Sequence, residues 1–203
     1  MIRKVTDLIV AELTGLNFVD RIGGIVKELE VVSPIDETAN TKVYPVGGQD
    51  ANGNHITYIP DTSFKSVIFF EDNGTTCETD VRYNNYESSI RLIAWYNLPA
   101  INEDYVRGDL LTQTLIHNLP HTFANTDYLT KIFLDFNGEV AKDKSIFSKY
   151  SFDEATMQYL NYPYDYAAID LTVRYSVPRN ASCFDEIIIN PKVCVTTSKT
   201  CIE

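Results

Sequence analysis

The chain has 203 residues, with 17 Lys and Arg against 28 Asp and Glu, a formal charge of −11 at pH 7. With 44% apolar and 22% charged residues it is able to bury a full core without a metal or a disulfide, and its composition is not that of a disordered segment. Acidic residues outnumber basic ones in both halves, so no basic tail or face is expected, which argues against grasping nucleic acid through its phosphates.

The longest apolar run near the start, Leu8-Ile9-Val10-Ala11, is bracketed by Asp7 and Glu12, too short and too charged for a secretory signal or a membrane span. The expectation is a protein made in a cytoplasm that stays soluble. Cys77, Cys183, Cys194 and Cys201 include no CxxC pair, and scattered thiols of this kind are mostly inert rather than ligands.

In chain order, Ile2, Val5, Ile9 and Leu13 share one helical face, widened by Leu8 and Leu16, so a helix is predicted over residues 2 to 14 with Gly15 as its stop. Ile25 to Val32 alternates, with Ile25, Leu29 and Val31 opposite Glu28 and Glu30, a strand exposed on one face and ended by Ser33-Pro34. Residues 36–64 then turn to Asn, Gly, Thr, Asp and Pro, with short extended pieces at Lys42 to Val46 and Ile56 to Ile59, which reads as a long hairpin excursion. Val67-Ile68-Phe69-Phe70 is a strand running into a turn at Asp72-Asn73-Gly74. Ser89 to Leu98 is apolar on nearly both faces and is expected at the centre of a sheet, covered by helices.

Asn102 is expected to cap a second helix, with Glu103, Asp104 and Asp109 at its positive end and Val106, Leu110, Leu111, Leu115 and Leu119 as its buried stripe, stopped by Pro120. Residues 131–163 read as an insertion: a hairpin around Asn137-Gly138, then a short helix opened by the capping box Ser151-Phe152-Asp153-Glu154 and closed before Pro163. Ile169 to Val177 is the cleanest strand, with Asp170, Thr172, Arg174 and Ser176 outward. Residues 179–203 form an extension in which Asp185 to Asn190, around Ile187-Ile188-Ile189, reads as an edge strand. The whole of 1–203 is therefore expected to be one α+β domain, a mostly antiparallel sheet with two amphipathic helices on one face.

Asp50 to Asp61 places oxygen side chains at positions 1, 3, 5 and 12 of a calcium-loop pattern, but His55 stands where the loop needs Gly and no helices flank it. A Gly/Asn hairpin turn explains the same residues. His117 and His121 have the spacing of a helical metal pair, yet Pro120 breaks the helix that would align them. No GxSxG, phosphate-binding or kinase string occurs, and the adjacent acidic pairs fall at proposed turns and helix starts, so no enzyme, cofactor or metal is expected. Tyr150, Tyr159, Tyr162, Tyr164 and Tyr166 crowd the approach to the last strand. They read either as a locally packed cluster or as a contact surface, since Tyr is enriched where proteins meet.

Taken together, the Ile2 to Leu16 helix, the Gly24 to Val32 and Lys42 to Phe70 hairpin region, the Ile90 to Leu98 strand, the Glu103 to Leu119 helix and the Ile169 to Val177 strand resemble the element order of tailed-bacteriophage neck proteins of the tail-terminator or head-tail connector type. The Tyr- and Asn-rich style is also similar to structural proteins of crAss-like phages. The resemblance implies a virion protein whose copies form a ring joining capsid portal to tail, beside other neck and tail proteins. Genomic DNA would pass without specific binding, and no membrane would be involved. It implies an inter-subunit arm in the excursion, carried by Asp50, Asn52, Asn54, His55 and Tyr58, and a second contact at Tyr159, Tyr162, Tyr164 and Tyr166. The alternative is a carbohydrate-binding module stacking sugars on Tyr162, Tyr164 and Tyr166. A third reading is a hydrolase using acidic pairs.

Overall fold

Apolar residues at helical spacing and at alternate positions build a long sheet covered on both faces. The computed structural model describes residues 2–32, 41–123 and 132–179. The strands are β1 (Arg21–Ile25), β2 (Lys27–Val32), β3 (Thr41–Gln49), β4 (His55–Thr57), β5 (Ser66–Thr79), β6 (Tyr83–Asn97), β7 (Thr122–Phe123), β8 (Ile132–Ala141) and β9 (Tyr164–Pro178). The helices are α1 (Ile2–Leu13), α2 (Leu98–Ile101), α3 (Asp109–Asn118) and α4 (Glu154–Met157), with 3₁₀ turns at Lys144–Phe147 and Gln158–Leu160. One sheet has the order β1-β5-β6-β9-β8-β7, antiparallel except for the parallel pair β1/β5; the other has the order β2-β3-β4. The fold is α+β and mostly antiparallel, as the hydropathy pattern predicts.

The long sheet carries a different layer on each face. On one, Val5, Ile9 and Leu13 of α1 and Leu111, Leu115 and Leu119 near α3 bury against Ile68, Phe70, Ile90, Leu92, Ile169 and Leu171. Strand residues two apart share a face, so Ile93 and Trp95 point the other way. There the cover is made of short helical turns and no long helix: Ile146, Phe147, Tyr150 and Leu160 of the 144–160 segment, with Val26 and Tyr58, close over Phe69, Ile93, Trp95 and Ala168.

The excursion is the second sheet. β1 leads through Val26 directly into β2: the Val26 N–H donates to the Phe70 carbonyl at 2.9 Å, after which the chain leaves β5 and pairs with β3. The single strand expected over 25–32 is thus two strands in two sheets, and the Gly23-Gly24 pair lies inside the first rather than ahead of it.

Three further differences have local causes. Asn73-Gly74 and Asn137-Gly138 are not hairpin turns; β5 and β8 run through both, with the register shifting between Asp72 and Thr75 and between Phe136 and Val140. Gly74 (φ +114°) and Gly138 (φ +77°) supply the positive φ that a bulge needs as much as a turn does. The second helix starts at Asp109, not Asn102, which ends the one-turn α2, so Val106 (67% exposed) and Leu110 (58% exposed) lie outside the buried stripe. Finally, Asp153 alone caps α4, accepting from the Thr156 N–H at 2.7 Å, while Ser151 Oγ accepts from the Val43 N–H at 3.1 Å. The capping-box serine ties two layers together instead. The strand end at Ser33-Pro34, the edge strand at Asp185–Asn190, Lys131, Cys183, Cys194 and Cys201 lie outside the described residues.

Candidate functional site

The β3–β4 loop, first of the two sequence candidates, is closed by its own side chain. Asp50 Oδ1 accepts from the N–H groups of Asn52 (2.8 Å) and Asn54 (2.9 Å), and Asp50 Oδ2 accepts from Asn54 Nδ2 at 3.2 Å. The Asn54 backbone N–H is the first cause of an Asp50 carboxyl held below its ordinary range. The carboxylate read at position 1 of a calcium loop is therefore engaged in an Asx turn. Asp50, Asn52, Asn54 and His55 are all exposed, at the free end of the smaller sheet.

Tyr58, assigned to the same surface, is placed elsewhere. It is 8% exposed and lies between the backbones of Gly23 and Gly47; a Cβ at either position would stand 2.3 or 2.5 Å from its ring. Phe69 lies 6.1 Å from it, and the Arg21 guanidinium is 5.4 Å from its ring while donating to the Thr57 carbonyl at 2.6 Å. Tyr58 is the peg that fixes the smaller sheet to the larger.

In the tyrosine cluster Tyr150 is buried, while Tyr159, Tyr164 and Tyr166 are half-buried and make ring contacts. Trp95 stacks on Tyr164 at 5.3 Å, Tyr159 meets Tyr164 edge-on at 5.3 Å, and Trp95 Nε1 donates to the Tyr159 carbonyl at 2.7 Å. Tyr166 packs edge-on against Phe147 at 5.5 Å. Tyr162, 76% exposed before a cis proline, is the ring left in solvent. Tyr159, Tyr164 and Tyr166 thus have local ring partners while each keeps part of its surface in solvent.

A third surface is built by the pairing itself. β5, β6, β9 and β8 continue past the 144–160 cover, and on that side their residues are polar. Glu78, Asn85 and Ser176 form one cross-strand row; Thr76, Glu87, Arg174 and Phe133 form the next; Arg91 and Asp170 pair nearer the core. Arg91 forks onto Asp170 at 2.7 and 2.9 Å. Arg174 bridges Glu87 at 2.8 Å and Asp135 at 2.5 Å, which raises its guanidinium further, Glu87 contributing first. Asn85 accepts from Ser176 at 2.7 Å, and Asn137 accepts from Thr172 at 3.0 Å. Carboxylates Glu78, Glu87, Asp135 and Asp170 outnumber guanidiniums Arg91 and Arg174, so the face is acidic in balance. A shallow groove of about 390 Å³ runs over Thr76, Glu87, Phe133 and Arg174. A smaller polar hollow lies where the two bulges bring Asn73 and Asn137 toward Arg91 and Asp170.

No protein-family model matches the chain, and no curated protein matches it in sequence. The face itself therefore carries the chemistry that can be discussed. The alternation of Asp170, Thr172, Arg174 and Ser176 marks one strand of it in the sequence. Its partner, Tyr83 to Ser88, has no clean apolar alternation, and strand pairing is not written in either segment alone. Among the described residues, no three His, Cys, Asp or Glu side chains gather as a metal ligand set, and no helix is long and apolar enough to cross a membrane.

Proposed function

We propose that the chain is a structural subunit of a ring at the head-tail neck of a tailed-phage virion, of the tail-terminator or connector type, joining portal to tail and letting DNA pass. The observation that carries this reading is the polar sheet face: four strands continue beyond their apolar cover as a hydrogen-bonded, net acidic surface with no catalytic constellation on it. Such a wall repels the phosphates of a passing duplex and offers no base or backbone contact that would hold it. The formal charge of −11 on each copy acts in the same direction. The exposed β3–β4 loop, closed by Asp50, is a suitable arm toward a neighbouring ring, and heterologous contacts between copies close a ring when the rotation between them closes.

The carbohydrate-module reading draws less support, because Tyr164 is stacked on Trp95 and Tyr166 is packed on Phe147, which leaves Tyr162 without a second exposed ring from this cluster to complete a platform. Negative-stain imaging of virions and of purified protein tests the proposal. Rings of this protein between capsid and tail support it, and particles without the protein in their neck contradict it.

A further inference from the structure

Three Asn-Gly pairs occur in the sequence, Asn52-Gly53, Asn73-Gly74 and Asn137-Gly138, and in each the Asn is exposed and the Gly has positive φ. Such a pair is able to modify itself. The Gly nitrogen bonds to the side-chain amide carbon of the Asn, the amide C–N bond breaks, ammonia leaves, and a cyclic imide remains. A Gly at the second position puts no Cβ in the way of that approach. Water then opens the imide at one carbonyl or the other, giving Asp or isoaspartate. The Gly nitrogen has to give up its proton for the ring to close, so the group its N–H faces decides how readily each pair reacts.

By that criterion the three pairs differ. The Gly53 N–H donates to the Asp50 carbonyl at 3.0 Å, a peptide oxygen and no base. Asn137 is committed through its side chain, whose Oδ1 accepts from Thr172 Oγ1 at 3.0 Å. The Gly74 N–H instead donates to Asp72 Oδ1 at 2.9 Å, so a carboxylate already lies on the proton that has to go. Among the described residues nothing hydrogen-bonds the Asn73 side chain. Residues 73 and 74 also lie in the bulge between the Asp72–Ile90 and Thr75–Ser88 pairs, so closing the ring there breaks no ladder pair.

We propose that Asn73 is a self-modification site, converted through an imide with Gly74 to Asp or isoaspartate. The Asp72 carboxylate takes the Gly74 proton as the new C–N bond forms and returns it to the departing amide nitrogen, which leaves as ammonia. Asn73 lines the polar hollow with Ser89, Arg91, Asn137 and Asp170, so the conversion adds one carboxylate to that hollow and makes the face more acidic as the protein ages. The modification is independent of whether copies form a ring.

Incubation of the full chain at neutral pH, with each Asn-Gly pair followed by peptide mapping and mass spectrometry, tests this. The comparison is between wild type, Asn73→Gln, and Asp72→Asn, which keeps a side-chain oxygen for the Gly74 N–H but no base. In folded wild type Asn73 is expected to react at least about tenfold faster than Asn52 or Asn137, giving both Asp and isoaspartate. Asp72→Asn is expected to lower that rate to the level of Asn52 and leave the other two pairs as they were, and Asn73→Gln to stay unmodified at position 73. Denaturant, which removes the geometry, brings the three rates together. An Asn73 that lags either other pair, a rate unchanged in Asp72→Asn, or Asp as the sole product, the mark of direct hydrolysis by water, overturns the proposal.

Discussion

Two side chains show how single residues hold the layers in place. Tyr58 occupies space that only glycine leaves open at positions 23 and 47, so Gly23→Ala places a methyl group within the ring of a buried tyrosine. Overpacking of this kind costs about 1–3 kcal/mol; chemical denaturation of Gly23→Ala that reports wild-type stability would show that the peg is not tight. Glu71, 4% exposed, accepts from Tyr150 Oη at 2.5 Å and pairs with Lys149 at 2.8 Å, while burial and then Glu71 push the Tyr150 phenol far above its ordinary value. Tyr150→Phe keeps the ring and removes the donor, leaving a buried carboxylate oxygen unsatisfied, a loss of about 1–3 kcal/mol measurable by urea unfolding. Asp50, Asp80, Asp109, Asp143 and Asp153 all have carboxyls held below the ordinary 3.8. The first cause is a backbone N–H bond from Asn54 for Asp50 and from Tyr83 for Asp80. It is the Lys142 ammonium for Asp109, and bonds from Ser145 and Thr156 for Asp143 and Asp153. Groups with depressed folded values add stability above their unfolded pKa and lose it as pH falls through the folded one. Stability followed by circular dichroism is therefore expected to hold at neutral pH and decline below about pH 4; a decline that begins near pH 6 would point to histidine instead.

Among the elements, legibility in the sequence followed periodicity. α1 and the Ile169–Val177 part of β9 were readable because their apolar residues keep a period of 3.6 or 2, whereas the start of β9 from Tyr164, where Ala167, Ala168 and Ile169 are buried in succession, has no such alternation and was not read as strand. The Asn-Gly pairs misled because a bulge and a hairpin turn need the same positive φ, and only the pairing partner decides between them. α3 was drawn too long because Val106 and Leu110 keep the helical spacing while lying in solvent. Of the candidate site, the loop at Asp50–His55 was legible through its turn chemistry, whereas Tyr58 was hidden because its cavity is made by two glycines distant in sequence. The acidic face was half legible, through Asp170, Thr172, Arg174 and Ser176, since its other strand has no periodic signature. Replacing residues 50–54 by a two-residue Asn-Gly turn keeps Tyr58, Gly47 and β4. We expect the domain to keep its far-ultraviolet spectrum while particles carrying it fail to attach tails. Normal attachment would remove the loop from the assembly contacts.

For the whole molecule, the proposed ring subunit rests on the net acidic face of the long sheet. An apolar core covers both sides of one end of the sheet, and beyond it one face is polar, with ion pairs, Arg174 with Glu87 and Asp135, that are exposed and contribute little to folding. Their substitution is expected to leave stability near wild type while changing the field of the face. Glu87→Lys with Asp135→Lys would invert its charge and slow DNA passage in assembled particles, read as delayed ejection in a fluorescence release assay; unchanged ejection would show that the face does not line the channel. The most direct measurement is single-particle imaging of the purified full chain over a concentration series. Closed rings with a central opening wide enough for a duplex are the expected result, and a protein that stays monomeric at every concentration, with no ring in virions, would contradict the ring proposal.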